Sequence, residues 1–311
     1  MSRIFTVTAN TAIDHCIEID QITLERAVLA KSNIEYAAGK GINVSKTLES
    51  LNVQVCCLGF VGDSSLNKFN ALSSKMLKTD FTVVTGQTRS NITLIDALNQ
   101  QMHIRTSGFN VTTNDCGQLT KKLDARIAEQ DIVIFSGSLP SGAQANQYQR
   151  WIELCHEKSA IAILDSGGEC LMRGIQAKPY LIKPNINELE EVFGRNLTNE
   201  VEIVSAAKQL QETGTQLVVV SRGEQGIIVV SEQAAFVASV EADHQQIVNS
   251  IGCGDALVAG FAVSIKRKWP ISETIKFALC CATANLFSQE PGRIASSQFE
   301  MLKKQMIIRR V

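Results

Sequence analysis

The sequence predicts an α/β fold, a doubly wound and mostly parallel sheet with helices on both faces, carrying a small β-sheet lid. Three observations predict it. Short β-branched runs, apolar at nearly every position, alternate with longer amphipathic segments, the pattern of parallel strands covered on both faces. Two stretches break that alternation with short strands of their own, which is how an inserted lid reads. The chain of 311 residues is 45% hydrophobic and 20% charged, enough to bury a large core, and no Pro-rich linker, low-complexity run or internal repeat divides it.

Taken in order, the run from Ile4 to Thr8 is the first strand. Residues 15–36 form the first part of the lid, Ile42–Leu51 a helix and Val55–Leu58 a strand. The pair Asn91–Asp96 and Met102–Thr106, joined by a polar turn around Asn99, completes the lid as short antiparallel strands. Helices are then expected at Gly117–Glu129, Gln144–Glu157, Asn187–Phe193 and Val201–Glu212. The strands between them are Ile132–Ser136, Ala160–Leu164, Tyr180–Lys183 and Leu217–Ser221. After Gly226 a hairpin joins Ile227–Val230 to Ala234–Val237, and from Gly254 onward the chain reads as mainly helical.

Thirty Lys and Arg against thirty-one Asp and Glu leave a net charge of −1, which predicts neither a nucleic-acid partner nor an anionic membrane surface. Anions, if bound, are met locally. The longest apolar stretches, Leu217–Val220 and Ile227–Val230, are far too short to span a bilayer, and no export signal is read at the N-terminus. Nine cysteines without a Cys-x-x-Cys spacing predict reduced thiols, eight of them in the core, in a cytoplasmic protein. Four scattered His do not make a zinc site, since His156 would need a second His where Ala160 stands.

The most informative segment is Asn249-Ser250-Ile251-Gly252-Cys253-Gly254-Asp255 followed by an apolar run. Its glycines allow a tight turn, and the helix that follows begins with amides that have no intrahelical partner. Free amides and the helix dipole make an anion site, beside which Asp255 is placed to accept a hydroxyl proton. The alternative is that Asp255 merely caps the helix. A second glycine turn, Ala38-Gly39-Lys40-Gly41-Ile42-Asn43, fits neither a Walker loop nor a dinucleotide fingerprint. The loops Ser136–Gly142 and Asp165–Glu169 each follow a strand, where open α/β sheets take ligands, although ordinary turn chemistry explains their composition equally well.

Together these segments resemble the PfkB carbohydrate kinase family, the ribokinase-like group, in its 1-phosphofructokinase and tagatose-6-phosphate kinase branch. The residues that carry the resemblance are Asn10 and Asp14, Gly39 to Asn43, Arg89 and Asn91, and Ser136–Gly142. Leu164–Glu169, Lys183–Leu189, Val218–Gly226 and Ile251–Phe261 complete eight motifs in family order.

The resemblance implies a ribokinase-like fold, with residues 1–11, 37–88 and 108–311 as the nucleotide-binding and catalytic domain and 12–36 and 89–107 as the lid. It implies transfer of a phosphoryl group from ATP to fructose 1-phosphate or tagatose 6-phosphate. Asp255 is then the base, and the amides of Gly252, Cys253 and Gly254 hold the transferring group. Asp14, Gly39, Lys40, Asn43, Arg89, Arg105 and Ser138 are implied on the sugar-phosphate side, and Lys183, Asn185, Ser221, Gly223, Gly226 and Asn285, the last beside the adenine, on the nucleotide side. Asn185 and Glu188 are implied to order magnesium through its waters, a monovalent cation such as K+ is implied as a further cofactor, and a homodimer through the lid as a partner.

The chain departs from the family pattern at Arg26-Ala27-Val28-Leu29, where a second basic residue is usual, which leaves Arg89, Arg105, Ser138, Arg26 and Lys31 as anion contacts. Ala38, Arg222 and Ala256 replace the more usual Gly, Leu and Ser. Cys253 stands where Ala is common, which suggests either a redox-sensitive thiol at a helix N-terminus or a small inert core residue. Two other functions stay open at this point: a kinase of an unphosphorylated sugar or nucleoside, and a non-catalytic sugar-phosphate sensor.

Overall fold

The computed structural model describes residues 2–23, 26–98, 100–241 and 247–311. The body begins with β1 (Ile4–Thr8), leaves for the lid strands β2 (Ala12–Glu18) and β3 (Ser32–Ala38), and returns through α1 (Lys40–Ser50) and β4 (Val55–Gly62). After α2 (Leu66–Asn70), β5 (Leu77–Thr79) and β6 (Thr82–Val84), the chain enters the lid again as β7 (Arg89–Ile95) and β8 (Gln101–Arg105). It comes back as α3 (Thr113–Arg126), β9 (Ile132–Ser136), α4 (Gln147–Glu157), β10 (Ile161–Asp165), α5 (Gly168–Gln176), β11 (Leu181–Ile182), α6 (Ile186–Phe193), α7 (Glu200–Glu212) and β12 (Leu217–Ser221). It ends with β13 (Ile227–Ser231), β14 (Ala235–Val240), α8 (Cys253–Lys266), α9 (Ile271–Asn285), α10 (Phe299–Lys304) and β15 (Met306–Arg310).

Among the described residues the large sheet has eleven strands in the order β15-β14-β13-β12-β11-β10-β9-β1-β4-β5, with β6 also on β4. The strands from β12 to β5 are parallel, and β13, β14 and β15 add an antiparallel edge. Alternate side chains of each strand go to opposite faces. Phe5, Val133, Leu164 and Val218 pack under α3 to α7, around a buried aromatic group of Phe135, Tyr148 and Trp151. Ile4, Ile134, Ile163 and Val219 pack under α1, α8 and α9. Continuous apolar runs are therefore required, because both faces are dry.

Local sequence sets the helix starts. Thr112 and Asp115 form a reciprocal capping box at α3, Asn185 and Glu188 form another at α6, and Asn199 caps α7. No helix of the described residues is long and apolar enough to cross a membrane.

Several expectations are corrected. The inserted strands do form a separate four-stranded sheet, β3-β2-β7-β8, but β2 and β7 run parallel, in register from Ala12↔Arg89 to Glu18↔Ile95. Both enter the lid directly from the body, after β1 and after β6, so they point the same way. The turn residue Asn99 lies outside the described residues. The segment after Asp165 is not only a loop, since α5 starts at Gly168. Strand β10 sits one residue later than expected and β11 keeps only two residues. From Gly254 onward the chain is mainly helical, as expected, but it ends in a strand, β15, which closes the sheet edge against β14.

Candidate active site

The carboxyl ends of β1, β9, β10 and β11 open onto the first turns of α1 and α8, and the polar residues of the expected site meet there. At the centre is Asp165, the last residue of β10, whose side chain is 1% exposed. Its Oδ1 lies 3.3 Å from Lys40 Nζ and 3.2 Å from Lys183 Nζ. Burial alone would raise the Asp165 carboxyl, but the two ammonium groups outweigh it and hold the carboxyl below its usual value. Its Oδ2 is buried without a hydrogen-bond partner. The same ion pair raises Lys40, whose Nζ also lies 3.9 Å from Glu188 Oε1.

Asp255 sits beside this cluster on α8. Its Oδ2 accepts a 2.8 Å hydrogen bond from Asn43 Nδ2 on the first turn of α1. Burial, followed by the negative charge of Asp165, raises the Asp255 carboxyl to about 7 against the pull of Asn43, Lys40 and Lys183. The reading of Asp255 as only a helix cap is corrected. The N-cap is Gly252, at φ 89° where a side chain would be strained, and no side-chain cap bond is made there. The carboxylate goes to Asn43 instead. The first amides of α8 have no intrahelical acceptor, and they stand next to this buried carboxyl.

That turn is braced from behind. Asn285 is fully buried; its Nδ2 donates to Ile251 O at 2.8 Å and to Cys253 Sγ at 3.4 Å, while its Oδ1 accepts from Gly292 N at 2.7 Å. In this structure the Asn285 amide, engaged at both ends, braces the turn. Burial pushes the Cys253 thiol up to about 11, which is the opposite of an activated thiol. Five of the cysteines are core residues, not eight: Cys16, Cys56 and Cys170 are only partly buried, like Cys253.

On one side of the cluster is a groove of about 600 Å³ lined by Asn185 to Asn187 and Ser221 to Gln225. Ser221 and Gly223 are part of it, Gly226 follows it directly, and Lys183 joins it to Asp165. Asn185 Oδ1 and Glu188 Oε2 are occupied in the capping box, at 2.8 Å each, which leaves Glu188 Oε1 facing Lys40. Arg222 also lines the groove and is held by Gln225 O at 2.8 Å and Glu200 at 3.5 Å.

On the other side is the lid. Register places Tyr36, Asp14, Asn91 and Arg105 in one row across β3, β2, β7 and β8. Asn91 Nδ2 donates to Asp14 Oδ1 at 2.7 Å. Burial raises the Asp14 carboxyl, partly offset by that bond. Arg89 donates to Asn10 O at 3.2 Å, and Asn10 Nδ2 reaches Ser138 Oγ at 3.2 Å, which ties the lid entrance to the β9 loop. Burial lowers the Arg89 guanidinium. Gly39 is the N-cap of α1, between Ala38 of the lid and Lys40. Arg105 and Arg26 are exposed, and Lys31 pairs with Asp20 at 2.5 Å.

Sequence reasoning left Asp165 and Asn91 without a role. The signal for Asp165 was available: a carboxylate ending an apolar strand, followed by two glycines, at the end of the sheet where ligands bind.

Comparisons with known proteins point the same way. The model of the pfkB family carbohydrate kinases matches residues 7–298. The chain is 33% identical over 290 residues to a 1-phosphofructokinase of Bacillus subtilis, covering 93% of this chain and 94% of that protein. It is 28% identical over 308 residues to a tagatose-6-phosphate kinase of Staphylococcus epidermidis, covering 97% and 98%. Its fold matches that of the phosphofructokinase-2 of Escherichia coli solved in complex with potassium, with a TM-score of 0.91 at 22% identity over 98% of this chain and 99% of that one.

Proposed function

This chain belongs to the pfkB family of carbohydrate kinases, and from that premise we propose that it phosphorylates a phosphorylated ketohexose, fructose 1-phosphate or tagatose 6-phosphate, with ATP. The observation that carries the reading is Asp255: a buried carboxyl, raised by burial and by the charge of Asp165, held by Asn43 next to the free amides of Gly252, Cys253 and Gly254.

In this reading the acceptor hydroxyl loses its proton to Asp255 as its oxygen bonds to the terminal phosphorus of ATP. The bond from that phosphorus to the bridging oxygen breaks, and ADP leaves with the electron pair. Amides of the turn meet the charge on the transferring group, while Lys40 and Lys183, aimed by Asp165, lie close enough to neutralise it. The groove along Ser221 to Gln225 takes the nucleotide, with Gly226 ending its rim. Asp14, Asn43 and the Gly39 turn take sugar hydroxyls, and Arg89, Ser138 and Arg105 the substrate's own phosphate.

The donors present fit magnesium. Glu188 Oε1 is outside the capping box and Asp165 Oδ2 is buried without a partner, both hard oxygens at the junction of groove and turn. Among the described residues no three His, Cys, Asp or Glu side chains form a closed cage, which suits an ion that keeps most of its waters. Bound there, with Asn185 positioning Glu188, magnesium would neutralise phosphate charge.

The lid presents Ile17, Ile92, Leu94, Met102 and Ile104 on the face opposite Asp14, with Met102 37% and Ile104 45% exposed. Pairing of two copies through that face is part of the proposal, and sedimentation of the full chain tests it.

The decisive experiment measures ADP release on fructose 1-phosphate, fructose 6-phosphate, tagatose 6-phosphate, fructose and ribose, for the native chain and Asp255→Asn. Turnover on phosphorylated ketohexoses that falls by about 10²–10⁴ in the variant is expected. Turnover confined to the neutral sugars, or an Asp255→Asn enzyme with most of its kcat, overturns the reading.

A further inference from the structure

We propose that Asn91 is a specificity-determining residue of the sugar site, its Oδ1 accepting a hydrogen bond from the substrate hydroxyl adjacent to the one held by Asp14. This inference rests on the reading of the site as one for a phosphorylated ketohexose.

One atom of Asn91 is unmatched in the protein. Asn91 Nδ2 is committed to Asp14 Oδ1 at 2.7 Å, and this fixes which end of the amide is the acceptor, since a carboxylate oxygen accepts from an N–H. The other end, Oδ1, is buried without any partner in the protein. A buried acceptor left unpaired is destabilising, and such atoms in folded proteins point to a group that the protein itself does not supply. The missing group is a donor. A phosphate or carboxylate oxygen cannot serve, whereas a hydroxyl can.

Its place narrows the donor further. Asp14 and Asn91 are register partners on parallel neighbouring strands, so their side chains stand side by side on one face of the lid. Asp14 Oδ2 and Asn91 Oδ1 are thus two acceptors a strand spacing apart, suited to two neighbouring hydroxyls of a sugar chain. Two residues back on the same face, Arg89 Nε is also buried and unpartnered, a donor for an oxygen that carries charge. An acceptor, an acceptor and a cationic donor in sequence describe a polyol segment that ends in a phosphate. Among the described residues, no other buried side-chain atom of the lid sheet is without a partner.

The test compares each enzyme with itself. For the native chain, Asn91→Leu and Asn91→Ala, kcat/KM is measured on fructose 1-phosphate and on its analogues lacking the 3-hydroxyl or the 4-hydroxyl. The native enzyme is expected to lose activity on an analogue without the hydroxyl held by Asp14 and, separately, roughly 10- to 100-fold on the analogue that leaves Asn91 Oδ1 unpaired. In both variants that second ratio is expected to fall to within about threefold of one, whatever their overall activity. A native enzyme that uses both analogues as well as the parent overturns the inference, as does a second ratio that persists unchanged in both variants. A native chain that turns over no phosphorylated ketohexose at all overturns the underlying reading instead, so the two failures are distinct.

Discussion

Asn43 Nδ2 donates to Asp255 Oδ2 at 2.8 Å, joining the first turn of α1 to the first turn of α8 across 212 residues of chain. The bond favours the ionised carboxylate, and so it works against the burial that raises Asp255 to about 7. Through it, the glycine turn at the lid entrance bears on the ionisation of Asp255.

Removing that bond in Asn43→Ala raises the Asp255 carboxyl further. If Asp255 acts as a base it must be ionised, so the acid limb of the kcat profile moves to higher pH. Hydrogen bonds to charged groups are worth about 1.5–3 kcal/mol, and a loss of at least roughly tenfold in kcat at pH 7 is expected, with partial recovery by pH 9. A pH–rate profile checks it.

Asp165→Asn is expected to move the same limb the other way. The Asp165 charge helps to raise Asp255, while Lys40 and Lys183 lower it, and the substitution removes the first influence and keeps the second. The variant also strands two ammonium groups, one of them buried, for which a destabilisation of about 3–5 kcal/mol is expected. An acid limb shifted downward together with a lower urea midpoint is the combined outcome.

Stability gives a third check on Asp255. Its carboxyl is raised in the folded chain from an ordinary 3.8 to about 7, so between those values the native state holds the proton more tightly than the unfolded one. The favourable contribution is complete below about 3.8 and is lost as pH rises through about 7. Asp255→Asn keeps an acceptor for Asn43 and carries no charge at any pH. It is expected to melt several degrees above the native chain at pH 8 and near it at pH 4, while turning over little substrate.

How far the sequence carried these conclusions can be judged residue by residue. The first strand, Ile4–Thr8, was legible to the residue because a run buried on both faces is apolar throughout. The glycine turn before α8 was legible because only glycine serves its backbone at Gly252. Asp165 is legible only in part: a carboxylate ending an apolar strand marks the end of the sheet where ligands bind, but the two lysines it holds come from elsewhere in the chain. The parallel pairing of β2 with β7 was not legible, because it depends on the route by which the chain returns to the lid, not on either strand's pattern. Nor was β15, whose charged residues Arg309 and Arg310 look like a helix end until Glu200 and Gln233 O are seen to receive them.

The thiol of Cys253 is expected to be inert. Burial pushes it up to about 11, so at neutral pH it stays a protonated thiol. Loss of activity in dilute peroxide is expected to follow the same course in Cys253→Ala as in the native chain. A variant that resists peroxide several-fold longer contradicts this.

Gly292→Ala tests whether the brace behind the anion turn is what holds the base in place. Gly292 has φ 81°, a conformation in which a Cβ is strained by about 1 kcal/mol or more. Strain is the smaller effect. A methyl at this position would lie 2.5 Å from Asn43 O and 2.8 Å from Asn43 Cα, so the loop or the start of α1 must move. Three bonds resist that movement: Thr47 Oγ1 to Gly292 O at 2.8 Å, Gly292 N to Asn285 Oδ1 at 2.7 Å, and Arg293 to Glu49 at 2.5 Å. Either displacement reaches the site, through Asn43 to Asp255 or through Asn285 to the turn at Ile251 and Cys253. Affinity for the nucleotide is expected to change little, because the groove along Ser221 to Gln225 is built from other elements. A fall in kcat of at least roughly tenfold, with KM for ATP within about threefold of native, is the expected split, since small misplacements of reacting groups are felt in the chemical step. Equal losses in kcat and in nucleotide affinity would show that the substitution had only loosened the fold.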